Sequence, residues 1–455
     1  MLYTSGRDIL DTNGNKVVLR GINLGSWLLM ESNMMGIPGV ESRVYRGILL
    51  EAGQEKADRF FKNVFDKWVT EDDIRYLKEL GANSVRIPFN YRRFETDQDP
   101  YHYKDEGFIY LDRVLEWCAK HEVYAVLDLH AVQGFQNEDW HSDNARGACD
   151  LFTDIEKENR FVALWEAIAA RYLECEWLAG YDLMNEPVAY GQIEVDGLNR
   201  VTRRAAEAIR RIDAKHILFI EGNFWATDFS EMDPPFDDNV VYSSHYYCPA
   251  AVQIGRYPGE ADGVLYDQEQ MIRDVAARDE YMLRHNVPTW VGEFGVRRFE
   301  NLKDKGQAFR DYIAAYEKLN DSWCYWNFKD LGLRGPLYLD PDGPWCRFVK
   351  EICDLKAKYQ TDYANALDDK AWDLSSIIGC YQEGDFACSY ATFYKRFTRT
   401  VRSSLGDFLT ERFGQMFVDL SPEDIDALTD SFLFGNCKHY EPWEEILKAG
   451  FAGTL

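Results

Sequence analysis

The chain has 455 residues, a formal charge of −26 at pH 7, and aromatic side chains at 15% of its positions. Nucleic acid and anionic membrane surfaces would repel so acidic a protein, which argues against both as partners. A neutral polymer would not be repelled, and aromatic rings suit the apolar faces of sugars. The length allows one large barrel with an appendage as well as two or three smaller domains.

The first residues show no basic segment followed by an apolar run, so no secretory signal peptide is expected. No later stretch has the length and apolar character of a membrane span. The ten cysteines lack Cys-x-x-Cys spacing, which disfavours a zinc site. We expect a cytoplasmic protein without a metal or cofactor. A secreted protein whose signal has been removed stays open as the alternative.

The chain begins with a predicted hairpin, in which residues 8–10 pair with residues 16–19 around the Asn13-Gly14 turn. Eight strand-like apolar runs then alternate with helical segments. The first run begins at Arg20, and the others span 82–89, 124–131, 178–186, 216–222, 239–247, 288–294 and 323–329. Strand and helix alternating eight times is typical of a (β/α)₈ TIM barrel, whose active site lies at the carboxyl ends of the strands.

Three segments are additional to the strands and helices of a minimal barrel. Residues 32–69 contain a predicted helix over 53–67, and residues 132–155 form a polar loop after the third strand. Loops this long on the catalytic face are often functional. The chain beyond residue 360 returns to helical periodicity. We therefore expect a catalytic barrel domain over residues 1–358 and a C-terminal helical extension, packed on the barrel, over residues 359–455.

Two glutamates stand at the ends of predicted strands. Glu186 follows an apolar run and precedes Pro187, and Glu293 ends the run that begins at Pro288. One glutamate in such a place is usually a solvated loop residue. Two of them are the minimum for a retaining glycosidase, which needs two carboxyl groups about 5 Å apart. The pair therefore predicts glycoside hydrolysis at the mouth of the barrel.

Other polar residues occupy the same strands. Arg86 lies inside an apolar strand, where an unpaired guanidinium would be costly, so the nucleophilic carboxylate is its expected partner. His130 and His245 end the third and sixth strands and should face the same mouth, although a single strand-end histidine is more often structural. Asn185 can donate to a sugar hydroxyl. Trp326 would form the floor of the pocket or pack inside the barrel.

These residues together resemble glycoside hydrolase family 5, the cellulase A family of clan A, over roughly residues 7–355. The elements that carry the resemblance are Arg86, His130, Asn185-Glu186-Pro187, His245-x-Tyr247 and the strand of Glu293. The resemblance implies that Glu186 is the acid/base and Glu293 the nucleophile. It also implies that Tyr247 donates a hydrogen bond to the nucleophile.

Within that family, the segment from Arg20 to Glu31 looks like the opening of the exo-β-1,3-glucanase branch. This similarity implies that Glu31 contacts the sugar. The loop after the third strand is similar in the same branch, which nominates Gln136 and Asn137 as substrate contacts. The chain departs from the branch at Val132-Gln133, over residues 140–144 and in its helical tail.

The sequence therefore predicts a retaining β-glycosidase that acts on a β-glucoside or β-glucan, with β-1,3-glucan favoured. The same mechanism on β-1,4-glucan, mannan, or a glucosylated lipid or sterol is the alternative. A barrel that binds sugars without catalysing their hydrolysis is the alternative from a different functional class. A metal-dependent barrel hydrolase fits less well, because neither histidine belongs to a His-x-His or His-Glu-x-x-His motif. The oligomeric state is not predicted.

Overall fold

The computed structural model of the protein describes residues 1–251, 256–261, 263–297, 302–359, 406 and 408–455. In chain order the strands are β1 (Leu2–Ser5), β2 (Asp8–Asp11), β3 (Arg20–Asn23), β4 (Ser84–Asn90), β5 (Tyr124–Ala131), β6 (Leu178–Asp182), β7 (Ile217–Glu221), β8 (Val240–Tyr246), β9 (Gly259–Ala261), β10 (Val264–Tyr266), β11 (Thr289–Phe294), β12 (Ser322–Tyr325), β13 (Lys329–Asp330), β14 (Leu337–Leu339) and β15 (Cys437–His439).

The α-helices, in the same order, are α1 (Ser32–Met35), α2 (Glu41–Ala52), α3 (Gln54–Lys67), α4 (Glu71–Leu80), α5 (Asp105–His121), α6 (Ile155–Tyr172), α7 (Gly191–Arg210), α8 (Asn223–Ala226), α9 (Gln268–Arg278), α10 (Glu280–His285), α11 (Leu302–Leu319) and α12 (Pro344–Tyr359). Further helices lie at residues 408–415, Pro422–Thr429 and Glu441–Phe451. Among the described residues, no helix combines the length and apolar character needed to cross a membrane.

Eight parallel strands close into a barrel in the order β3-β4-β5-β6-β7-β8-β11-β12, with β12 pairing back to β3. Each of the eight predicted runs overlaps one of these strands, which confirms the predicted TIM barrel. The central strands are buried along their whole length because helices cover the outside and side chains fill the inside.

Helix α4 shows how local sequence sets an element. Thr70 and Asp73 form a reciprocal capping box at its start, and Gly81 adopts φ +101° at its end, a left-handed conformation that a residue without Cβ takes readily. Ile74 and Leu77 lie on the buried face between these caps. The helix therefore begins and ends at residues whose local chemistry caps it.

The N-terminal hairpin is present but differs in its pairing. Strand β1 pairs antiparallel with β2 over residues 2–5 and 8–11, whereas the predicted partner segment 16–19 makes one bridge, between Leu10 and Lys16. Leu2 and Leu19 are both buried in the apolar cluster at the bottom of the barrel. Burial of Leu2 thus favours the earlier segment as the main partner of β2.

Two barrel strands are shorter than predicted. The predicted run over 178–186 ends as strand β6 at Asp182, so Glu186 lies in the following loop with φ +47°. The amide of Asn185 still donates to the carbonyl of Leu129 on β5 at 3.3 Å. The predicted run over 323–329 is likewise divided, with β12 ending at Tyr325.

The described part of the tail packs against the barrel. Strand β15 pairs antiparallel with β14, and Trp443 donates from Nε1 to the hydroxyl of Tyr325 at 2.9 Å. The ring of Phe451 stacks on Trp323 with centroids 5.3 Å apart. The predicted helical positions at Phe393, Phe397, Val401 and Leu405 lie outside the described residues. A domain boundary at residue 358 stays a prediction.

Lys329 joins the tail to the barrel from a fully buried position. Its Nζ donates to the carbonyls of Trp68 and Phe432 at 2.8 and 3.0 Å and lies 2.8 Å from Asp73 Oδ1. Lys329→Met should lower the free energy of unfolding by about 3–5 kcal/mol, because Asp73 would keep a buried charge without its cation. Urea unfolding measures this loss.

A matched control is Lys350→Met, since Lys350 pairs with Asp354 on an exposed helix face. That change should cost no more than about 1 kcal/mol. Equal losses in the two variants would contradict the role assigned to Lys329.

Candidate active site

The two glutamates face each other at the mouth of the barrel. Glu293 lies on β11 beside a register irregularity and pairs in register with His245 on β8. Glu186 reaches the same place from the loop after β6. One carboxylate oxygen of each glutamate and a ring nitrogen of His245 all lie within 4.8 Å of one another. Donor atoms this close place the two carboxyl groups side by side in one site.

Glu293 is held at both of its oxygens. Arg86 donates from Nη1 to Oε1 at 2.7 Å, and the hydroxyl of Tyr247 donates to Oε2 at 2.9 Å. The carboxylate is nearly buried, with 6% of its side chain exposed. Charge-assisted hydrogen bonds of this kind stabilise the ionised form and fix its direction. The expected partnership between Arg86 and Glu293 is present in the structure.

His245 lies between the two glutamates. Its Nδ1 is 2.7 Å from Glu186 Oε1 and 3.7 Å from Glu293 Oε2, and its Nε2 is 3.2 Å from Glu221 Oε1. Within the described residues, Glu186, His245 and Glu293 are the one group of three whose donor atoms could reach a single ion. These atoms already bind each other, Arg86 or Tyr247, so we assign them no metal.

Arg86 contacts more acids than the sequence indicates. The guanidinium is fully buried and binds Asp128 at 3.1 Å, Asp182 at 2.8 Å and Glu221 at 2.8 Å, in addition to Glu293. Four carboxyl groups around one cation would leave a large buried negative charge if all were ionised, which is unfavourable in the interior.

Protonation resolves this charge. Burial raises the pKa of Asp128 and that of Asp182 well above the usual range, so both carboxyls stay neutral. Burial also opposes ionisation of Glu221, but His245 and Arg86 together lower its pKa to about 2. The acids in turn raise the pKa of His245 well above its ordinary value despite its burial. Arg86 and His245 are therefore the cations of this cluster, and Glu221 is a carboxylate between them.

A pocket of about 260 Å³ opens directly above these groups. Its wall comes from loops that follow different barrel strands, and the lining residues are Glu31, Asn33, His130, Asp139, Trp140, His141, Glu186, Trp225, Tyr247, Glu293, Arg297, Trp326 and Arg334. The lining combines polar and aromatic groups. Such a lining can stack on a sugar ring while binding its hydroxyls.

Glu31, His130 and Trp326 form one wall of the pocket. Burial raises the pKa of Glu31 to about 8, so its carboxyl is neutral at pH 7 and can donate to a sugar oxygen. His130 stacks on Trp326 with ring centroids 5.5 Å apart, and its Nδ1 lies 2.6 Å from Asp128 Oδ2. Burial lowers the pKa of His130 well below its usual value. The wall therefore presents neutral groups to a ligand.

Three of the residues nominated as substrate contacts support the loop that carries Glu186. Gln136 is fully buried and donates to the carbonyls of His130 and Asn185 at 2.7 and 2.9 Å. Asn137 donates to the carbonyl of Glu186 at 2.8 Å. Asn185 accepts from Arg86 Nη2 through Oδ1 at 2.8 Å. A direct substrate contact by any of the three stays a prediction.

Sequence reasoning missed Asp128, Asp182 and Glu221 as parts of the site. Asp128 precedes His130 by two positions, and side chains two apart on a strand face the same side. Asp128 also pairs in register with Asp182 on the neighbouring strand. Charged residues at inward positions of apolar strands were the available signal.

Trp225 reaches the pocket through an unusual turn. Phe224, Trp225 and Ala226 all adopt positive φ, between 48° and 60°, a conformation that costs non-glycine residues about 1–2 kcal/mol each. Trp225 donates from its backbone to the carbonyl of Pro187 at 3.2 Å and from Nε1 to Asp139 Oδ2 at 2.6 Å. Strain of this size is often retained at a functional site. Nothing in the local sequence indicated it.

The family model described as Cellulase (glycosyl hydrolase family 5) matches residues 51–332. A β-xylosidase of Phanerodontia chrysosporium is 33% identical over 98% of this chain and 97% of its own length. A glucan 1,3-β-glucosidase of Candida oleophila is 30% identical over 50% of this chain and 58% of its own.

Among solved structures, the cellobiose complex of Thermotoga maritima Cel5A superposes with a TM-score of 0.53. It covers 74% of this chain and 97% of its own at 23% identity. At this level of identity the likeness concerns the fold, and it agrees with the barrel described above.

Proposed function

Because the chain belongs to glycoside hydrolase family 5 and is a glycoside hydrolase, we propose that it is a retaining β-glycosidase with Glu186 as acid/base and Glu293 as nucleophile. The observation that carries this proposal is the separation of the two carboxylates, whose nearest donor atoms lie within 4.8 Å. A short separation of the two carboxyl groups is typical of retaining glycosidases, whereas inverting enzymes hold them about 6.5–9.5 Å apart.

In the first step, a Glu293 oxygen forms a bond to the anomeric carbon while the bond from that carbon to the leaving oxygen breaks. The leaving oxygen takes its proton from Glu186. In the second step, water attacks the anomeric carbon, gives a proton to Glu186 and releases Glu293. Arg86 and Tyr247 orient Glu293 for this attack, because both donate to its oxygens.

The proposed substrate is a β-glucoside or β-glucan, with a β-1,3 linkage favoured. Support comes from the opening segment that ends at Glu31 and from the relative named glucan 1,3-β-glucosidase. A cavity of about 260 Å³ suits one terminal sugar ring better than a long chain.

A β-xyloside is the second candidate. The relative named β-xylosidase matches 98% of this chain, so the match includes the C-terminal extension. The resemblance to the exo-β-1,3-glucanase branch does not extend to that part of the chain. Xylose differs from glucose by the absent hydroxymethyl group, so the space beside that carbon in the pocket decides between the two.

Proton NMR of the freshly formed product tests the mechanism. We expect the β anomer to appear first and to mutarotate later, because two displacements at one carbon retain its configuration. An α anomer as the first product would contradict the carboxylate geometry. Absence of hydrolysis with full binding of sugars would favour the non-catalytic barrel.

The same assay, run on aryl β-glucoside, aryl β-xyloside, and β-1,3-linked and β-1,4-linked glucan oligosaccharides, ranks the substrates by kcat/KM. Preference for the β-1,3-linked series over the xyloside would support the first candidate. The opposite order would support the second.

A further inference from the structure

A second imidazole binds the acid/base carboxylate. His141 Nε2 lies 3.2 Å from Glu186 Oε2, while His245 occupies Oε1 from the other side at 2.7 Å. His141 is 7% exposed and lines the pocket. It comes from the loop after β5, so the contact joins two separate segments. A proton held by His141 is therefore one hydrogen bond away from the group that protonates the leaving oxygen.

Asp139 holds His141 in this position. Its Oδ2 lies 3.5 Å from His141 Nε2 and accepts the indole proton of Trp225 at 2.6 Å. The backbone amide of Asp139 donates to Asn137 Oδ1 at 2.9 Å, and Asn137 in turn binds the carbonyl of Glu186. The loop that carries His141 and the loop that carries Glu186 are thus fastened together at two places.

We infer that His141, held by Asp139, is a positioning residue that binds Glu186 Oε2 and shares with it the proton delivered to the leaving group. The inference rests on the proposed function, because it needs Glu186 to be the acid/base. As the glycosidic bond breaks, its electron pair goes to the leaving oxygen, which takes the proton of Glu186. Glu186 has received that proton from His141 Nε2, so the step leaves Glu186 as a carboxylate and His141 neutral. In the second step the proton from water returns along the same path.

The charges around His141 favour this sharing. Asp139, Glu186 and Glu31 face the ring, and neutral His130 contacts it at a centroid distance of 5.8 Å. Burial opposes a charged ring, but Asp139 and Glu186 raise the pKa of His141 to about 9. On its other side, Glu186 faces His245 and, beyond it, Glu293. His141 can therefore hold a proton at neutral pH.

The other ring nitrogen of His141 faces the side-chain amide of Asn185. His141 Nδ1 lies 3.4 Å from Asn185 Nδ2, which is long for a hydrogen bond. Arg86 fixes the Asn185 oxygen, so the amide nitrogen is turned to His141 as a donor. This contact favours an unprotonated Nδ1, and its length keeps that preference small.

The test compares pH profiles of kcat/KM for the wild type, His141→Gln, Asp139→Asn and Glu186→Gln on an aryl β-glycoside with a poor leaving group. Glutamine keeps a donor but cannot take up a proton. The proton of a coupled pair leaves at a higher pH than it would from Glu186 alone. We therefore expect the alkaline limb of His141→Gln to lie about one pH unit or more below that of the wild type.

Asp139→Asn should move the limb in the same direction by less, because it weakens the hold on the imidazole proton without removing the ring. The loss in His141→Gln should be about tenfold with the poor leaving group and nearly absent with a dinitrophenyl glycoside, which needs no proton. His102→Gln is the matched control, since His102 pairs with Asp99 on the exposed surface.

An alkaline limb in His141→Gln that coincides with the wild type would overturn the inference while leaving the proposed function intact, provided that Glu186→Gln is impaired. Wild-type behaviour of Glu186→Gln would instead remove the proposed function. Should His141→Gln fail to fold by circular dichroism, Asp139→Asn decides alone: a limb shifted to lower pH supports the inference, and an unmoved limb refutes it.

Discussion

Glu293→Gln should lower kcat on an aryl β-glycoside by about 10⁴-fold or more, the size of loss found when other hydrolases lose a covalent nucleophile. An amide has the shape of the carboxylate but cannot form the glycosyl-enzyme ester at a useful rate. The fold should persist, because Arg86 keeps its contacts with Asp128, Asp182 and Glu221. Steady-state kinetics together with a circular dichroism spectrum measures both effects.

Glu269→Gln serves as the control for this change. Glu269 lies on α9 with 84% of its side chain exposed and is not part of the pocket. Its replacement should leave kcat within about twofold of the wild type, since exposed substitutions away from a site rarely matter. Turnover near the wild-type value in a clean preparation of Glu293→Gln would end the assignment of the nucleophile.

Glu186→Ala should have an effect that depends on the leaving group. With a phenyl glycoside, whose leaving oxygen needs a proton, kcat/KM should fall by about 10³-fold, within the range for removal of a general acid. With a dinitrophenyl glycoside the loss should be about tenfold or less, because that group departs without protonation. A series of aryl glycosides of graded leaving-group pKa measures the slope.

Added azide extends this test. Once Glu186 is absent, water lacks its base in the second step, whereas an anion needs none. Azide should therefore accelerate Glu186→Ala on the dinitrophenyl substrate and leave the wild type unchanged. Equal losses on all leaving groups, with no response to azide, would show that Glu186 is not the acid/base.

The polar interior explains why the two glutamates can differ in role. Glu293 receives Arg86 and Tyr247, whereas Glu186 contacts two imidazoles and carries more exposed side chain, 12% against 6%. A nucleophile must stay ionised, and an acid must exchange its proton during each turnover. The larger exposure of Glu186 leaves it more open to the pocket, as its proposed part in the reaction requires.

The sequence by itself determined the architecture and the pair of glutamates. Alternating apolar periods predict eight strands and the intervening helices, and the caps of α4 at Thr70 and Gly81 follow from local chemistry. These properties depend on neighbours along the chain, so they can be read from it. Strand positions also nominated Arg86, His130 and His245, and the family resemblance added Tyr247. The structure brings all four to one mouth.

Only the tertiary structure decided the rest, because it depends on contacts between distant segments. Closure of the barrel gathers Asp128, Asp182 and Glu221 around Arg86, and the desolvation that sets their protonation exists only after folding. The register of β1 depends on burial of Leu2 beneath strands that come much later in the chain. Likewise, His141 contacts Glu186, and Trp225 contacts Asp139. The loops that carry His141 and Trp225 show no strand or helix periodicity, so their local sequence does not reveal these contacts.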